Sequence, residues 1–231
     1  MKTIGLIGGM SWESTADYYR NLNNGIKAKL GGLHSAKIAL LSVDFAEIEK
    51  LQHAGDWEAT ATILANAARR VEAAGADFIL ICTNTMHKVA PQVEAAVGIP
   101  LLHLADATGQ NLVDDGIKRV GLLGTAFTME QDFYKGRLKD KHGLEVLVPS
   151  AADRKIVHDI IYGELCLGQV KDDSRREYLR IIDQLAADGA QAVILGCTEI
   201  GMLVSQSDTH VQLYDTTTIH AERAVALALS G

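Results

Sequence analysis

The stretch ADFILICTNTMH, at residues 76–87, indicates the fold class of this chain. It begins as a continuous apolar run and ends abruptly in small polar residues, which is typical of a strand that is covered on both faces. A second stretch of the same kind, AQAVILGCTEIG, occupies residues 190–201. The first stretch has Thr83 where the second has Cys197, so one half of the chain places a hydroxyl where the other places a thiol.

Apolar runs of similar length recur along the chain and are separated by segments with helical periodicity. We interpret these runs as strands at residues 3–8, 37–43, 77–82, 99–104, 119–124, 144–149, 192–197 and 211–215. Most of them show no alternation of polar and apolar residues, which favours parallel strands buried between layers of helices. Strands that alternate with helices in this way predict an α/β protein.

The segment 174–189 shows the helical pattern between two of these strands. Ser174 and Glu177 form a candidate capping box at its start, and Gly189 is suited to end the helix. Between them lies one apolar stripe, formed by Tyr178, Ile181, Ile182 and Leu185. A stripe of this spacing predicts a helix that packs one face against the sheet.

The chain contains an internal repeat. IGLIGG at residues 4–9 resembles VGLLGT at 120–125, and GADFILICTNT at 75–85 resembles GAQAVILGCTE at 189–199. Strand–helix units resemble one another in many proteins, but here the order and the spacing of the two stretches are also kept. We therefore interpret the chain as two related halves.

Two related halves of an α/β protein predict two pseudo-symmetric lobes. Each lobe is expected to contain a mainly parallel four-stranded sheet flanked by helices, with the active site between the lobes. The N-terminal lobe is expected at residues 1–102 and 212–231, and the C-terminal lobe at residues 103–211.

Composition excludes several classes of function. The chain of 231 residues is 48% hydrophobic and 22% charged, as in ordinary globular proteins. Its formal net charge of -7 argues against a nucleic-acid partner, because phosphates require a basic surface. No apolar run is long enough for a membrane span or for a signal peptide, and the odd set of three cysteines indicates free thiols. We predict a cytoplasmic protein with no membrane partner.

The predicted strand ends favour a small anionic ligand. Ligands of open α/β sheets bind beyond the carboxyl ends of the strands, and here those ends carry glycines and small hydroxyl residues. Backbone N–H groups at helix starts bind carboxylates well. GLIGGM does not match a dinucleotide fingerprint, and the scattered histidines lack metal-ligand spacing. We therefore predict a small carboxylate substrate and no metal, and the sequence gives little support to a dinucleotide site.

The three cysteines receive different interpretations. Cys197 ends a strand ahead of a predicted helix, where the pKa of a thiol is often lowered, so that the thiolate can serve as base or nucleophile. The alternative is a small residue packed in a tight turn. Cys82 precedes Thr83 by one residue, and strand pleating turns its side chain to the opposite face, into the core. Cys166 is interpreted as a core residue on a helix.

The chain resembles the cofactor-independent aspartate/glutamate racemase family over essentially its whole length. The resemblance rests on IGLIGGMS, TNTMH, IYGEL, GCTEI and DTTTIHAERA. It implies two lobes with the site between them, no pyridoxal cofactor and a homodimer. It also implies that two thiols flank the substrate α-carbon, one removing the α-proton and the other returning a proton on the opposite face.

The family's first motif is Cys-Asn-Thr, and this chain departs from it with Thr83. The resemblance therefore implies that Cys197 deprotonates L-aspartate or L-glutamate and that a proton returns from the Thr83 side. A hydroxyl is a much weaker acid than a thiol and a poor base at neutral pH. The substrate-binding residues implied are Met10, Gln52, Asn84, Thr85, Thr198 and Glu199.

Some assignments stay open at this stage. Gln52 is as readily an exposed helix residue, and His87, one helical turn beyond Thr83, either supports the site or is simply packed or solvated. Some aspartate racemases carry a basic residue where this chain has Cys166. The alternatives to an acidic amino-acid racemase are a racemase of neutral amino acids such as homoserine, a single-thiol decarboxylase or isomerase of the same superfamily, and a non-catalytic carboxylate-binding protein.

Overall fold

A computed structural model describes residues 1–230 of the chain, which alternates strands and helices as predicted. The strands are β1 (Ile4–Gly8), β2 (Ile38–Ser42), β3 (Phe78–Ile81), β4 (Arg119–Gly124), β5 (Glu145–Leu147), β6 (Ala192–Gly196) and β7 (Gln212–Asp215). The helices are α1 (Trp12–Leu30), α2 (Phe45–Ala54), α3 (Trp57–Ala73), α4 (Ala90–Glu94), α5 (Leu104–Asp114), α6 (Ala126–Glu130), α7 (Asp132–His142), α8 (Ala151–Gly163), α9 (Asp172–Ala187), α10 (Ile200–Leu203) and α11 (Thr216–Leu229). Short 3₁₀ helices cover Thr85–Val89, Leu165–Leu167 and Gln206–Asp208.

Two compact units share these elements. The first comprises Met1–Leu104 and His220–Gly231, and the second comprises Ala105–Ile219. The chain returns to the first unit at His220 rather than at residue 212, because β7 pairs in parallel with β6 of the second unit. The chain therefore returns to the first unit at a later residue, His220, than the predicted residue 212.

The sheet of the first unit has three parallel strands in the order β2-β1-β3, where four were predicted. The expected fourth strand, at residues 99–104, forms only a single parallel bridge between Ile79 and Leu101. Two backbone hydrogen bonds hold it, from Ile79 N–H to the Pro100 carbonyl and from Leu102 N–H to the Ile79 carbonyl, both at 2.9 Å. Pro100 has no N–H to extend the ladder, and α5 begins at Leu104.

The sheet of the second unit has the predicted four strands, all parallel, in the order β5-β4-β6-β7. Its two central strands are the most completely buried: every residue of β6 is buried, as are those of β4 after Arg119. Continuous burial explains why these runs lack polar alternation. The predicted fold class, two mainly parallel sheets flanked by helices, is confirmed.

The helix α9 shows the predicted apolar stripe but not the predicted cap. Tyr178, Ile181, Ile182 and Leu185 are buried against the sheet, and Gly189 follows the helix with a positive φ of 99°. The helix begins at Asp172, so Ser174 lies in its first turn. The Ser174 hydroxyl donates to the Glu164 carboxylate at 2.6 Å instead of capping the helix. The capping-box prediction is wrong because a more distant carboxylate binds the hydroxyl.

The glycines of IGLIGG allow close backbone approach just before the site. A Cβ on Gly8 would lie 2.4 Å from Cγ2 of Thr15, and one on Gly9 would lie 2.3 Å from the Val43 carbonyl oxygen. Gly9 also has a positive φ of 94°, which disfavours other residues. These constraints fix the turn that directly precedes Met10. Within residues 1–230, no helix is both long and apolar enough to span a membrane.

Candidate active site

In the first unit, polar residues follow two neighbouring strands. Because β1 and β3 are parallel and paired, the segments after Gly8 and Ile81 emerge at the same edge of the sheet. Met10 and the run Thr83, Asn84 and Thr85 lie there, and all four are buried, Thr83 with 9% of its surface exposed. Thr85 begins a 3₁₀ helix that ends at Val89.

Gln52 belongs to the same region. It lies on α2, is 3% exposed, and its side-chain N–H donates to the sulfur of Met86 at 3.0 Å. Met86 lies one residue after Thr85 and packs in the apolar cluster that also contains Met10. The alternative of an exposed helix residue is therefore wrong for Gln52. The first unit brings together four of the predicted binding residues: Met10, Gln52, Asn84 and Thr85.

His87 is also part of this region, although the sequence left its role open. It is buried, and its Nδ1 lies 2.8 Å from the Thr83 carbonyl oxygen. Its Nε2 lies 3.2 Å from the backbone nitrogen of Leu104, the first residue of α5. The ring therefore joins the backbone of Thr83 to the start of another helix.

In the second unit, three consecutive polar residues follow β6. Oε2 of Glu199 accepts hydrogen bonds from the Cys197 thiol at 2.9 Å and from the Thr198 hydroxyl at 2.8 Å. Cys197 is 7% exposed, and Thr198 and Glu199 are more deeply buried. A buried carboxylate that accepts from a thiol is well placed to remove the thiol proton.

The pKa of Cys197 differs from the sequence-based expectation. Burial raises it well above the ordinary value of a thiol, and the neighbouring Glu199 carboxylate raises it further. The helix that follows has only four residues, Ile200–Leu203, so it offers little dipole to stabilise a thiolate. The predicted lowering of the pKa is wrong, and the resting form is a thiol whose proton is directed at Glu199.

The two other cysteines occupy core positions. Cys82 is fully buried in the cluster that contains Phe78 and Leu80, whereas Ile79 and Ile81 face the cluster on the other side of β3. Burial raises the pKa of the Cys82 thiol. The prediction that Cys82 is a core residue is confirmed. Cys166 lies in the 3₁₀ helix Leu165–Leu167 and packs, partly buried, against the cluster that contains Cys197.

Sequence reasoning missed two supporting residues. The Thr15 hydroxyl accepts from Gly9 N–H and donates to the Ser11 carbonyl, both at 2.8 Å, and so holds the turn around Met10. His220 is fully buried, and this burial lowers its pKa to about 3. The motif DTTTIHAERA contains His220, but the sequence did not indicate that this histidine is buried near His87. No group of three or more His, Cys, Asp or Glu residues within 1–230 has the arrangement to hold a metal ion.

Comparisons with known proteins identify the family of this chain. The Asp/Glu/Hydantoin racemase family matches residues 7–224. The chain is 57% identical to a candidate Asp/Glu racemase from Yersinia pestis, with a TM-score of 0.92 and 100% of both chains covered. It is 35% identical to an aspartate racemase homologue from Pyrococcus horikoshii OT3, with a TM-score of 0.83 and 99% of both chains covered.

A more distant relative is also named as an amino-acid racemase. The chain is 21% identical over 169 residues to the broad specificity amino-acid racemase RacX of Bacillus subtilis (strain 168), a match that covers 71% of this chain and 70% of the relative. The family match spans both units, including Thr83 and Cys197. The chain belongs to the Asp/Glu/Hydantoin racemase family, and it is an amino-acid racemase.

Proposed function

We propose that this racemase acts on L-aspartate and L-glutamate without a cofactor, with Cys197 as the base for the L-enantiomer. The observation that carries the proposal is the hydrogen-bonded pair of Cys197 thiol and Glu199 carboxylate at the end of β6. Glu199 accepts the thiol proton, and the thiolate then removes the α-proton of the L-substrate. The high pKa of the thiol makes the thiolate scarce but strongly basic once it forms.

The second half of the reaction returns a proton from the Thr83 side. The Thr83 hydroxyl donates its proton to the opposite face of the carbanion, which gives the D-enantiomer and leaves an alkoxide on Thr83. Solvent then carries the proton that Glu199 accepted to the Thr83 alkoxide, so Glu199 is again a carboxylate, Cys197 a thiol and Thr83 a hydroxyl. A threonine alkoxide is very rare at neutral pH, so the D-enantiomer is deprotonated far more slowly at saturation than the L-enantiomer.

We further propose that buried polar side chains near these residues hold the substrate. Asn84, Thr85 and Thr198 offer hydrogen-bond donors for the α-carboxylate of the substrate. Met10 and Gln52 line the part of the first unit that faces the substrate side chain. The three cysteines are free, which suits a reducing cytoplasm. A homodimer is the assembly that the family resemblance implies.

Neutral side chains form a second candidate substrate class, for one specific reason. Among residues 1–230, the buried polar side chains include histidines and Glu199 but no lysine or arginine. A side-chain carboxylate would then lack a buried cation, and burying an unpaired charge is costly. One family relative bears the name of a broad specificity racemase. A hydroxyl side chain of similar length, as in homoserine, would fit without a cation.

A substrate panel separates the two candidates. L- and D-aspartate, glutamate, homoserine and methionine are incubated with the protein, and chirality is followed by chiral chromatography. Faster conversion of L-aspartate and L-glutamate supports the acidic assignment. Faster conversion of homoserine or methionine contradicts it and assigns the neutral class. Conversion of none of these amino acids, together with tight binding of one, would contradict both.

Replacing Glu199 by glutamine is expected to lower turnover at neutral pH about tenfold. The change removes the proton acceptor, but it also removes the negative charge that raises the pKa of the Cys197 thiol, so the two effects partly cancel. Turnover of the variant should rise with pH, because hydroxide then replaces Glu199 in forming the thiolate. Initial rates from pH 6 to pH 10 test this.

Glu222, an exposed residue on α11, provides the matched control. Glu222→Gln makes the same chemical change away from Cys197 and should leave the pH profile as in the native protein. Equal rates for the native protein and Glu199→Gln at neutral pH would show that Glu199 is not the acceptor of the thiol proton.

A further inference from the structure

A buried histidine, His87, connects the backbone of Thr83 to the N-terminus of α5. Its Nδ1 lies 2.8 Å from the Thr83 carbonyl oxygen, which can only accept a hydrogen bond, so Nδ1 carries the proton. Its Nε2 lies 3.2 Å from the Leu104 N–H, which can only donate, so Nε2 carries none. The two contacts together define a neutral ring in the Nδ1–H tautomer.

Two further histidines hold this ring in place. The ring of His103 lies 4.5 Å from that of His87 between centroids, and the ring of His220 lies 6.1 Å away, nearly edge-on. His220 is itself fixed at both nitrogens, by the Leu102 carbonyl and by the Tyr18 hydroxyl, each at 2.8 Å. All three histidines are buried, so the position of the His87 ring is closely determined.

The chain segment that receives these bonds is the end of the first unit. His220 binds the Leu102 carbonyl and His87 binds the Leu104 N–H, so residues on both sides of His103 are held. The first N–H groups of a helix have no partner within the helix, and Nε2 of His87 supplies one at the start of α5. His87 thus links the backbone of Thr83 to that of Leu104, within the first unit.

We propose that His87 is the positioning residue of the Thr83 side of the reaction. This inference rests on the proposed function, in which Thr83 returns the proton and Cys197 removes one. His87 fixes the carbonyl of Thr83, so the hydroxyl keeps its position relative to its own backbone and to Leu104. Cys197 is bound to Glu199 in the second unit, so its half of the reaction has a separate support.

The two half-reactions can be measured separately. β-Chloro-L-alanine carries a leaving group, so removal of its α-proton by Cys197 expels chloride with its electron pair and forms aminoacrylate. Water hydrolyses aminoacrylate to pyruvate and ammonia, and no proton needs to return from Thr83. Pyruvate formation therefore reports Cys197 alone, whereas conversion of an L-substrate to its D-enantiomer requires both residues.

His87→Gln and His87→Asn form the test pair. The amide nitrogen of asparagine can replace Nδ1 as the donor to Thr83, whereas glutamine places its amide near Nε2 and leaves the Thr83 carbonyl without its donor. His87→Gln is expected to lower racemisation about tenfold or more, because small displacements of a reacting group are costly, with pyruvate formation unchanged within about twofold. His87→Asn should retain most racemisation. His34→Gln changes an exposed histidine and is the control.

A second measurement does not depend on activity. Nitrogen-15 spectra of the histidine side chains of the native protein distinguish a protonated from an unprotonated ring nitrogen. We expect His87 to be neutral with the proton on Nδ1. A proton on Nε2, or a charged ring at neutral pH, would overturn the assignment of both hydrogen bonds and with it the proposal.

The outcomes separate this inference from the proposed function. Equal losses of racemisation and pyruvate formation in His87→Gln would overturn the positioning role, since a general defect of folding or binding affects both. A native protein that neither racemises the panel nor forms pyruvate would overturn the proposed function, and with it the positioning role that rests on it. In that case an Nδ1–H tautomer would still show that His87 links the backbones of Thr83 and Leu104, with a purely structural role.

Discussion

Replacing Cys197 by serine is expected to lower the turnover of L-substrates by at least ~10²-fold and up to ~10⁴-fold, the range that a general base contributes. The serine hydroxyl can donate to Glu199 as the thiol does, but it does not become an oxyanion beside a buried carboxylate. The fold should survive, because the exchange of sulfur for oxygen changes the side-chain volume little. Initial rates with L-substrates, together with a thermal unfolding curve, measure both effects.

Cys82 provides the matched control for this variant. It is a buried thiol in the core of the first unit, on the face of β3 opposite to the Met86 cluster. Cys82→Ala should leave turnover within about twofold of native and lower only the stability, since it removes one buried sulfur. If Cys197→Ser retained most of the native turnover, Cys197 would not be the base.

Replacing Thr83 by cysteine is expected to raise the maximal rate with D-substrates by about 10²-fold, the lower end of general base catalysis. The change supplies a second thiol, which can form a thiolate and remove the α-proton of the D-enantiomer. The maximal rate with L-substrates should rise less, because Cys197 already serves that direction. The two enantiomers have equal free energy, so kcat/KM rises equally in both directions and the difference appears in kcat at saturation.

Thr62→Cys is the control, since Thr62 is an exposed residue of α3 and the change adds a thiol away from the site. Its kinetics should match those of the native protein. Equal kcat values for the two enantiomers in the native protein would contradict the role given to Thr83. So would a Thr83→Cys variant with no gain in the D-direction.

The fold followed from the sequence wherever burial is continuous. β3 and β6 are buried along their whole length, and their apolar runs are interrupted by no polar residue that would suggest one solvated face. Residues 99–104 show an equally apolar run, yet they form only one bridge. An apolar run alone does not predict a ladder: Pro100 is exposed and lacks an N–H, Ile99, Leu101 and Leu102 are only partly buried, and α5 begins at Leu104.

The burial of the candidate residues followed from their places near strand ends, but the pKa of Cys197 did not. Met10, Asn84, Thr85, Thr198 and Glu199 are all buried near the ends of strands, as the strand-end rule requires. The pKa of the Cys197 thiol depends on where the side chain of Glu199 points and on how deeply both are buried. Neither is encoded in spacing along the chain, so a local rule about helix starts gave the wrong direction.

Long-range partners explain the remaining differences. Ser174 has the local signature of a helix cap, but its hydroxyl binds Glu164, ten residues away. The spacing of His87 from Thr83 left its role open, because its contacts with Leu104 and His103 depend on the fold. In both cases a tertiary contact determines the function of a polar side chain, and no pattern within a single element contains that information.

The origin of the α-hydrogen in the D-product tests the central claim most directly. An L-substrate with hydrogen at the α-carbon is converted in D₂O, and early D-product is isolated and analysed by mass spectrometry. If Cys197 and Thr83 act on opposite faces of the α-carbon, essentially every molecule of D-product carries one α-deuterium, because the hydrogen returned from the Thr83 side comes from solvent. A D-product that keeps its original α-hydrogen would contradict the account, since one group would then both remove and return the proton.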